Sequence, residues 1–120
     1  MAKLTLEWSE VFSYTGTNVN VHAPLSAGIY RLSCQKGDKR LVFYVGQAEN
    51  LDERLRGHLS DGEPNACIRR HLRDYTCYFR FAKVARQADR DCAERALYDH
   101  YDHECNSVAP PGEPCDINFE

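Results

Sequence analysis

Residues 28–62 read GIYRLSCQKGDKRLVFYVGQAENLDERLRGHLSDG, and the side-chain period changes within them. GIYRLSC (28–34) and LVFYVG (41–46) are rich in aliphatic and aromatic residues, and the QKGDKR between them holds a Lys-Gly-Asp turn, so a β-hairpin is expected. From Asn50 the pattern becomes helical. Asn50 with Glu53 three residues on fits an N-terminal capping box, and Leu51, Leu55 and Leu59 recur every four residues until Asp61-Gly62 stops the helix. At about 100° per residue, Arg54 and His58 lie together beside that leucine stripe, on the rim of the packed face.

Working outward, Asn65 is expected to cap a short helix, ACIRRHL, with Ile68 and Leu72 inward. YTCYFRFAKVA (75–85) partly alternates and reads as a third strand. A helix over residues 88–103 follows, with Ala93, Ala96, Leu97 and Tyr101 inward and Glu94 beside Tyr101. Before the hairpin, residues 1–26 read as an extension packed on the core through Trp8 and Phe12. The last stretch, CNSVAPPGEPCDINFE, is rich in proline and is expected to be irregular. A small sheet must be covered by its helices to bury an apolar face, so the expected class is α+β, a three-stranded antiparallel sheet flanked by helices. The chain divides into the extension (1–26), the module (27–108) and the tail (109–120).

At 120 residues, with 42% hydrophobic and 28% charged side chains, the chain has the size and balance of one globular domain. It has no apolar run long enough for a membrane span, and its start, MAKLTLEWSE, does not read as a secretory signal. A cytoplasmic protein with reduced cysteines is therefore expected. The net charge of -3 argues weakly against a nucleic-acid partner, but its distribution is uneven. Residues 53–86 are net +4 and residues 89–120 net -7, so Arg56, Arg69, Arg70 and Arg73 are expected to form a nucleic-acid face away from an acidic tail.

The ordered constellation resembles the GIY-YIG nucleases. Gly28-Ile29-Tyr30 matches the first name element and Tyr44-Val45-Gly46 the second, with valine at its centre. Arg54 and His58 in YVGQAENLDERLRGHL match the arginine and the histidine four residues on. Glu94 in DCAERALYDHY matches the metal-binding glutamate, and Asn106 in ECNSVAP the asparagine beyond that helix. The resemblance implies an endonuclease that hydrolyses phosphodiester bonds in DNA with one divalent metal, Mg²⁺ or Mn²⁺, held by Glu94. RNA stays open as a substrate. The alternative is a non-catalytic nucleic-acid or protein-binding module on the same fold. Separately, residues 1–26 are a candidate surface for an additional protein partner.

The residue types suit that chemistry. A helical carboxylate suits a hard cation that keeps several waters. Arg54 offers a planar fork to phosphate, and His58 can relay a proton near neutral pH. The resemblance implies that Tyr30 is the base toward water and Tyr44 a positioner or accessory base. Both must point to one face of the hairpin, near Arg54. Asn106 is left to orient phosphate or the metal's carboxylate, or to satisfy backbone, and Gly28 and Gly46 read as backbone relief. Cys92, His100, His103 and Cys105 could be drawn as a zinc site but lack a paired Cys-x-x-Cys.

Overall fold

The structure, a computed structural model, describes residues 2–119. Along them run β1 (Lys3–Leu4), β2 (Phe12–Ser13), α1 (Gly16–His22), β3 (Gly28–Lys36) and β4 (Lys39–Ala48). These are followed by α2 (Leu51–His58), α3 (Ala66–Asp74), β5 (Cys77–Lys83), α4 (Gln87–His100) and β6 (Asp116–Ile117). β3 and β4 form the expected hairpin, turning where Gly37 takes a φ of 65°, a left-handed value that glycine adopts without strain. β5 pairs antiparallel with the other edge of β3.

The sheet has four strands, in the order β2-β5-β3-β4, where three were expected. The fourth comes from the N-terminal extension: Phe12 lies opposite Phe79 and Ser13 opposite Tyr78, and Trp8 bridges to Ala82. Two paired residues are too few to leave a period in a sequence. The tail is likewise not wholly irregular, because β6 pairs in parallel with β1.

Helices cover both faces of the sheet, which is the α+β arrangement that its apolar residues require. On one face Tyr30, Leu32, Phe43 and Phe79 pack with Leu51 and Leu55 of α2, Ile68 of α3, and Tyr14 and Val19 from the extension. On the other, Ile29, Val45 and Ala82 pack beneath Ala93, Ala96 and Leu97 of α4, with Leu6, Cys115 and Ile117 from the two ends of the chain.

The expectation of six reduced cysteines does not hold. Cys67 is bonded to Cys105 and Cys92 to Cys115, while Cys34 and Cys77 are buried thiols. The first bond ties α3 to the segment after α4, and the second ties α4 to the tail. These partners lie 38 and 23 residues apart and are brought together by tertiary packing, which residue spacing alone does not reveal. Among the described residues no helix is long and apolar enough to cross a membrane.

Candidate active site

The register of the hairpin decides where its two tyrosines go. Tyr30 faces Gly46 and Leu32 faces Tyr44, so the tyrosines are two ladder positions apart, which puts them on the same face, with ring centroids 6.2 Å apart. Between Leu32 and Ser33 the register shifts, and this irregularity in the ladder lets both Phe43 and Tyr44 join the side covered by α2 and α3. Gly46 serves more than the backbone relief expected of it. A Cβ there would lie 2.6 Å from both Cζ and the hydroxyl oxygen of Tyr30, so the missing side chain is what lets the Tyr30 ring cross the strand.

Asn50 caps α2 as expected, accepting the Glu53 N–H at 3.0 Å. The helix then turns His58 into the core and leaves Arg54 reaching solvent. His58 Nε2 lies 2.7 Å from the Tyr30 hydroxyl, and its Nδ1 lies 2.9 Å from Oε2 of Glu63. The other Glu63 oxygen accepts the backbone N–H of Asn65 at 3.1 Å, and the Arg69 guanidinium donates to the Glu63 carbonyl. The Arg54 guanidinium lies close enough to both tyrosine hydroxyls to interact with each of them.

These contacts set the charge states. Burial, and then the neighbouring Tyr44, push the Tyr30 phenol well above its ordinary pKa against the pull of Arg54, so Tyr30 stays neutral. Burial opposes the Arg54 charge, but the two tyrosines outweigh it and hold the guanidinium above its ordinary value. Burial and the Arg54 charge lower the His58 pKa, while Glu63 pulls it the other way. His58 is thus a neutral imidazole at pH 7, deeper than the rim position expected of it.

Glu94 lies on α4, where Gln47 of β4 donates from one amide nitrogen to Glu94 Oε1 and to Asp91 Oδ1, each at 2.9 Å. Gln87 gives Asp91 a further bond at 2.8 Å. A cleft of about 280 Å³ is walled by Tyr44, Glu94, Asn106 and tail residues that include Pro110 and Pro111. Tyr44 therefore touches both halves of the constellation, the cleft with Glu94 and the Arg54 network. Asn106 spends both ends of its amide on one residue, accepting from Val45 N at 3.0 Å and donating to Val45 O at 2.9 Å. Of the roles left open for it, satisfying backbone is the one its geometry fills.

The donor set at Glu94 fits a hard divalent cation. Burial raises the Glu94 pKa, and the charge of Asp91 adds to this against the Gln47 bond, so the carboxylate lacks positive charge beside it. A second group, Cys67, His71 and Cys105, has its ligand atoms within 4.8 Å of one another, but both sulfurs are joined in the disulfide. The histidines and cysteines considered for zinc are dispersed. Cys92 and Cys105 are in separate disulfides, His103 stacks on Tyr98, and His100 stacks on Phe119.

The four arginines of the expected nucleic-acid face sit on α2 and α3, and three are engaged within the chain. Arg56 pairs with Asp52, Arg73 pairs with Asp74, and Arg69 donates to the Glu63 carbonyl. Arg70 is exposed. Sequence reasoning missed Glu63, Gln47 and Asp91. Asp91 carried a signal, since it stands three residues before Glu94 on one helix face. Gln47 and Glu63 carried none.

Comparison with known proteins gives one family match: residues 26–103 match the GIY-YIG catalytic domain. No curated protein sequence matches the chain. Among solved structures, the chain is similar to the GIY-YIG N-terminal endonuclease domain of UvrC from Thermotoga maritima bound to magnesium, its catalytic divalent cation. That likeness has 20% identity and a TM-score of 0.57, covering 75% of this chain and 92% of that one. A tyrosine-to-phenylalanine point mutant of the same domain, bound to its catalytic divalent cation, gives 20% identity and a TM-score of 0.59. It covers 77% of this chain and 93% of that one.

Proposed function

The chain belongs to the GIY-YIG catalytic domain family, and we propose that it is a divalent-metal-dependent endonuclease that hydrolyses phosphodiester bonds in DNA. The observation that carries this reading is that Tyr44 lines one cleft with Glu94 and also shares Arg54 with Tyr30. Residues 27–108 are the catalytic unit, and the extension and tail are additions to it. Mg²⁺ is the preferred cation and Mn²⁺ its substitute, which is supported by the Glu94 donor set and by the magnesium bound in the UvrC domain.

Bound at Glu94, the cation supplies positive charge for the phosphate oxygens and makes its own water easier to deprotonate. The residues of this chain do the rest. Tyr44, which lines the cleft, takes the proton of the attacking water in its phenolate form and becomes the phenol, a role that fits it better than Tyr30, which is 0% exposed. Arg54 pairs with the scissile phosphate as negative charge builds on it. Tyr30 and His58 support Arg54 from within the core. Asn106 holds the backbone of Val45, the residue after Tyr44, and so fixes the strand that carries the base. Arg56, Arg69, Arg70 and Arg73 attract the DNA backbone, with Arg70 the largest contributor because the other three already serve partners in the chain. The expected cytoplasmic location is part of this proposal, and there the two disulfides would exchange with the thiol pool.

The test is incubation with supercoiled plasmid, with and without Mg²⁺ or Mn²⁺. Nicking that requires the cation supports the reading. A protein that binds DNA with salt-dependent affinity but cuts neither DNA nor RNA is instead a binding module on this fold.

A further inference from the structure

The Glu63–His58–Tyr30–Arg54 chain has a direction set by its ends. A carboxylate only accepts hydrogen bonds and a guanidinium only donates them. Glu63 therefore accepts a hydrogen bond from the His58 Nδ1–H, 2.9 Å away, which leaves Nε2 of the neutral imidazole as an acceptor. Tyr30 must then donate its hydroxyl proton to Nε2 over 2.7 Å, and its oxygen lone pairs are left to receive Arg54. The inner three members are 5%, 1% and 0% exposed, so water cannot substitute for a lost partner. Arg54, at the surface, is held by a chain anchored in the core.

We propose that Glu63 is a positioning residue of the active site, which fixes the His58 tautomer and through Tyr30 holds Arg54 in the orientation that meets the phosphate. This rests on the nuclease reading for what Arg54 meets, while the ordering of Arg54 stands apart from it. No covalent step and no net proton transfer are required of Glu63, His58 or Tyr30. The groups facing His58 are Tyr30 from β3, Tyr44 from β4, Arg54 on α2 and Glu63 from the loop after α2, with Tyr14 of the extension close enough to feel both Arg54 and Glu63. Of these, Glu63 alone is a carboxylic acid. Removing its charge should lower the His58 pKa further, because burial and Arg54 then act unopposed. Its amide replacement can also donate, so the tautomer is no longer forced.

The experiment compares wild type, Glu63→Gln, Tyr30→Phe and the double variant by ¹⁵N NMR of the His58 ring and the Arg54 Nε–H, and by plasmid nicking. The expected wild-type spectrum has one tautomer, protonated on Nδ1, and a resolved Arg54 Nε–H signal. In Glu63→Gln the tautomers should mix, His58 should titrate at lower pH, the Arg54 signal should broaden or vanish, and kcat should fall about 10- to 100-fold with KM little changed. In the Tyr30→Phe background Glu63→Gln should reduce kcat no further, because the link is already cut. An unchanged tautomer and Arg54 signal in folded Glu63→Gln overturns the proposal, as does an equal loss of kcat in both backgrounds. If Glu63→Gln does not fold, Glu63→Asp decides by the same spectra, since its shorter carboxylate keeps the charge but draws back from Nδ1. A wild type that cuts nothing but shows the expected spectra refutes the nuclease reading and supports the ordering of Arg54 by Glu63.

Discussion

Replacing Glu94 by glutamine removes a negative charge while keeping size and helix propensity. The bond from Gln47, 2.9 Å to Oε1, can be kept by the new amide oxygen, so the helix and the sheet edge beneath it lose no partner. Stability without metal should not fall. Burial raises the Glu94 pKa, so the folded chain holds this proton more tightly than the unfolded chain. Stability is therefore lost as pH rises from the unfolded value, about 4.5, through the folded one, and the cost is fully present above the folded value. The variant escapes that cost. With Mg²⁺ at 100 times its dissociation constant, wild type should gain about 2.7 kcal/mol, which for a domain of this length raises Tm by about 10 °C. The variant should gain nothing, and its plasmid nicking should fall at least about 100-fold, the scale of losing an electrostatic contact at the reacting centre. At pH 5 the wild-type gain should shrink, because protons compete with the cation for Glu94. Calorimetric scans with and without Mg²⁺, beside nicking on the same preparations, measure both effects. A variant that keeps the Mg²⁺-induced rise in Tm, or cuts as wild type does, refutes the assignment of Glu94.

The two tyrosines should separate in the same assays. Tyr30→Phe leaves His58 and Arg54 each short of a buried partner and should cost about 1–3 kcal/mol in urea unfolding, whereas Tyr44→Phe should abolish nicking with a smaller loss of stability. Gly46→Ala should displace the Tyr30 ring and cost about 1–3 kcal/mol, and a wild-type midpoint would show that the ring does not need that space. Reducing the disulfides should lower stability by about 3–4 kcal/mol for each, given partners 38 and 23 residues apart. Identical urea midpoints with and without reductant would mean that the bonds are absent in solution.

The hairpin, the capped helix α2 and the long helix α4 were legible because each repeats its signal: aliphatic and aromatic runs on either side of a Lys-Gly-Asp turn, leucines every four residues behind Asn50, and inward alanines and a leucine on α4. What the sequence concealed depends on contacts between distant segments. The edge strand β2 is two residues long and exists because β5 offers it Tyr78 and Phe79. The tail is rich in proline, yet β1 and the Cys92–Cys115 bond capture it. Neither event has a period, and both follow from which edges and surfaces the core leaves open.

In the site, the residues matched by motif and the residues matched by contact divide along the same line. Tyr30 and Tyr44 stand alike in the sequence, each an aromatic residue in a strand two residues from a glycine. Their difference is created by Gly46, over which the Tyr30 ring folds into the core, and by the register shift in the hairpin, beyond which Tyr44 opens onto the cleft with Glu94. Burial then does to Tyr30 what no motif records: it keeps the phenol protonated, as a bridge between His58 and Arg54. Glu63 was beyond reach for the same reason. It stands five residues after His58, past the end of α2 in a loop beside Pro64, where its charge reads as surface. Its meaning appears when the chain folds it against an imidazole that already has a phenol on its far side. A buried network is specified by its complete set of donors and acceptors, so it becomes readable from the last partner found, not from the first.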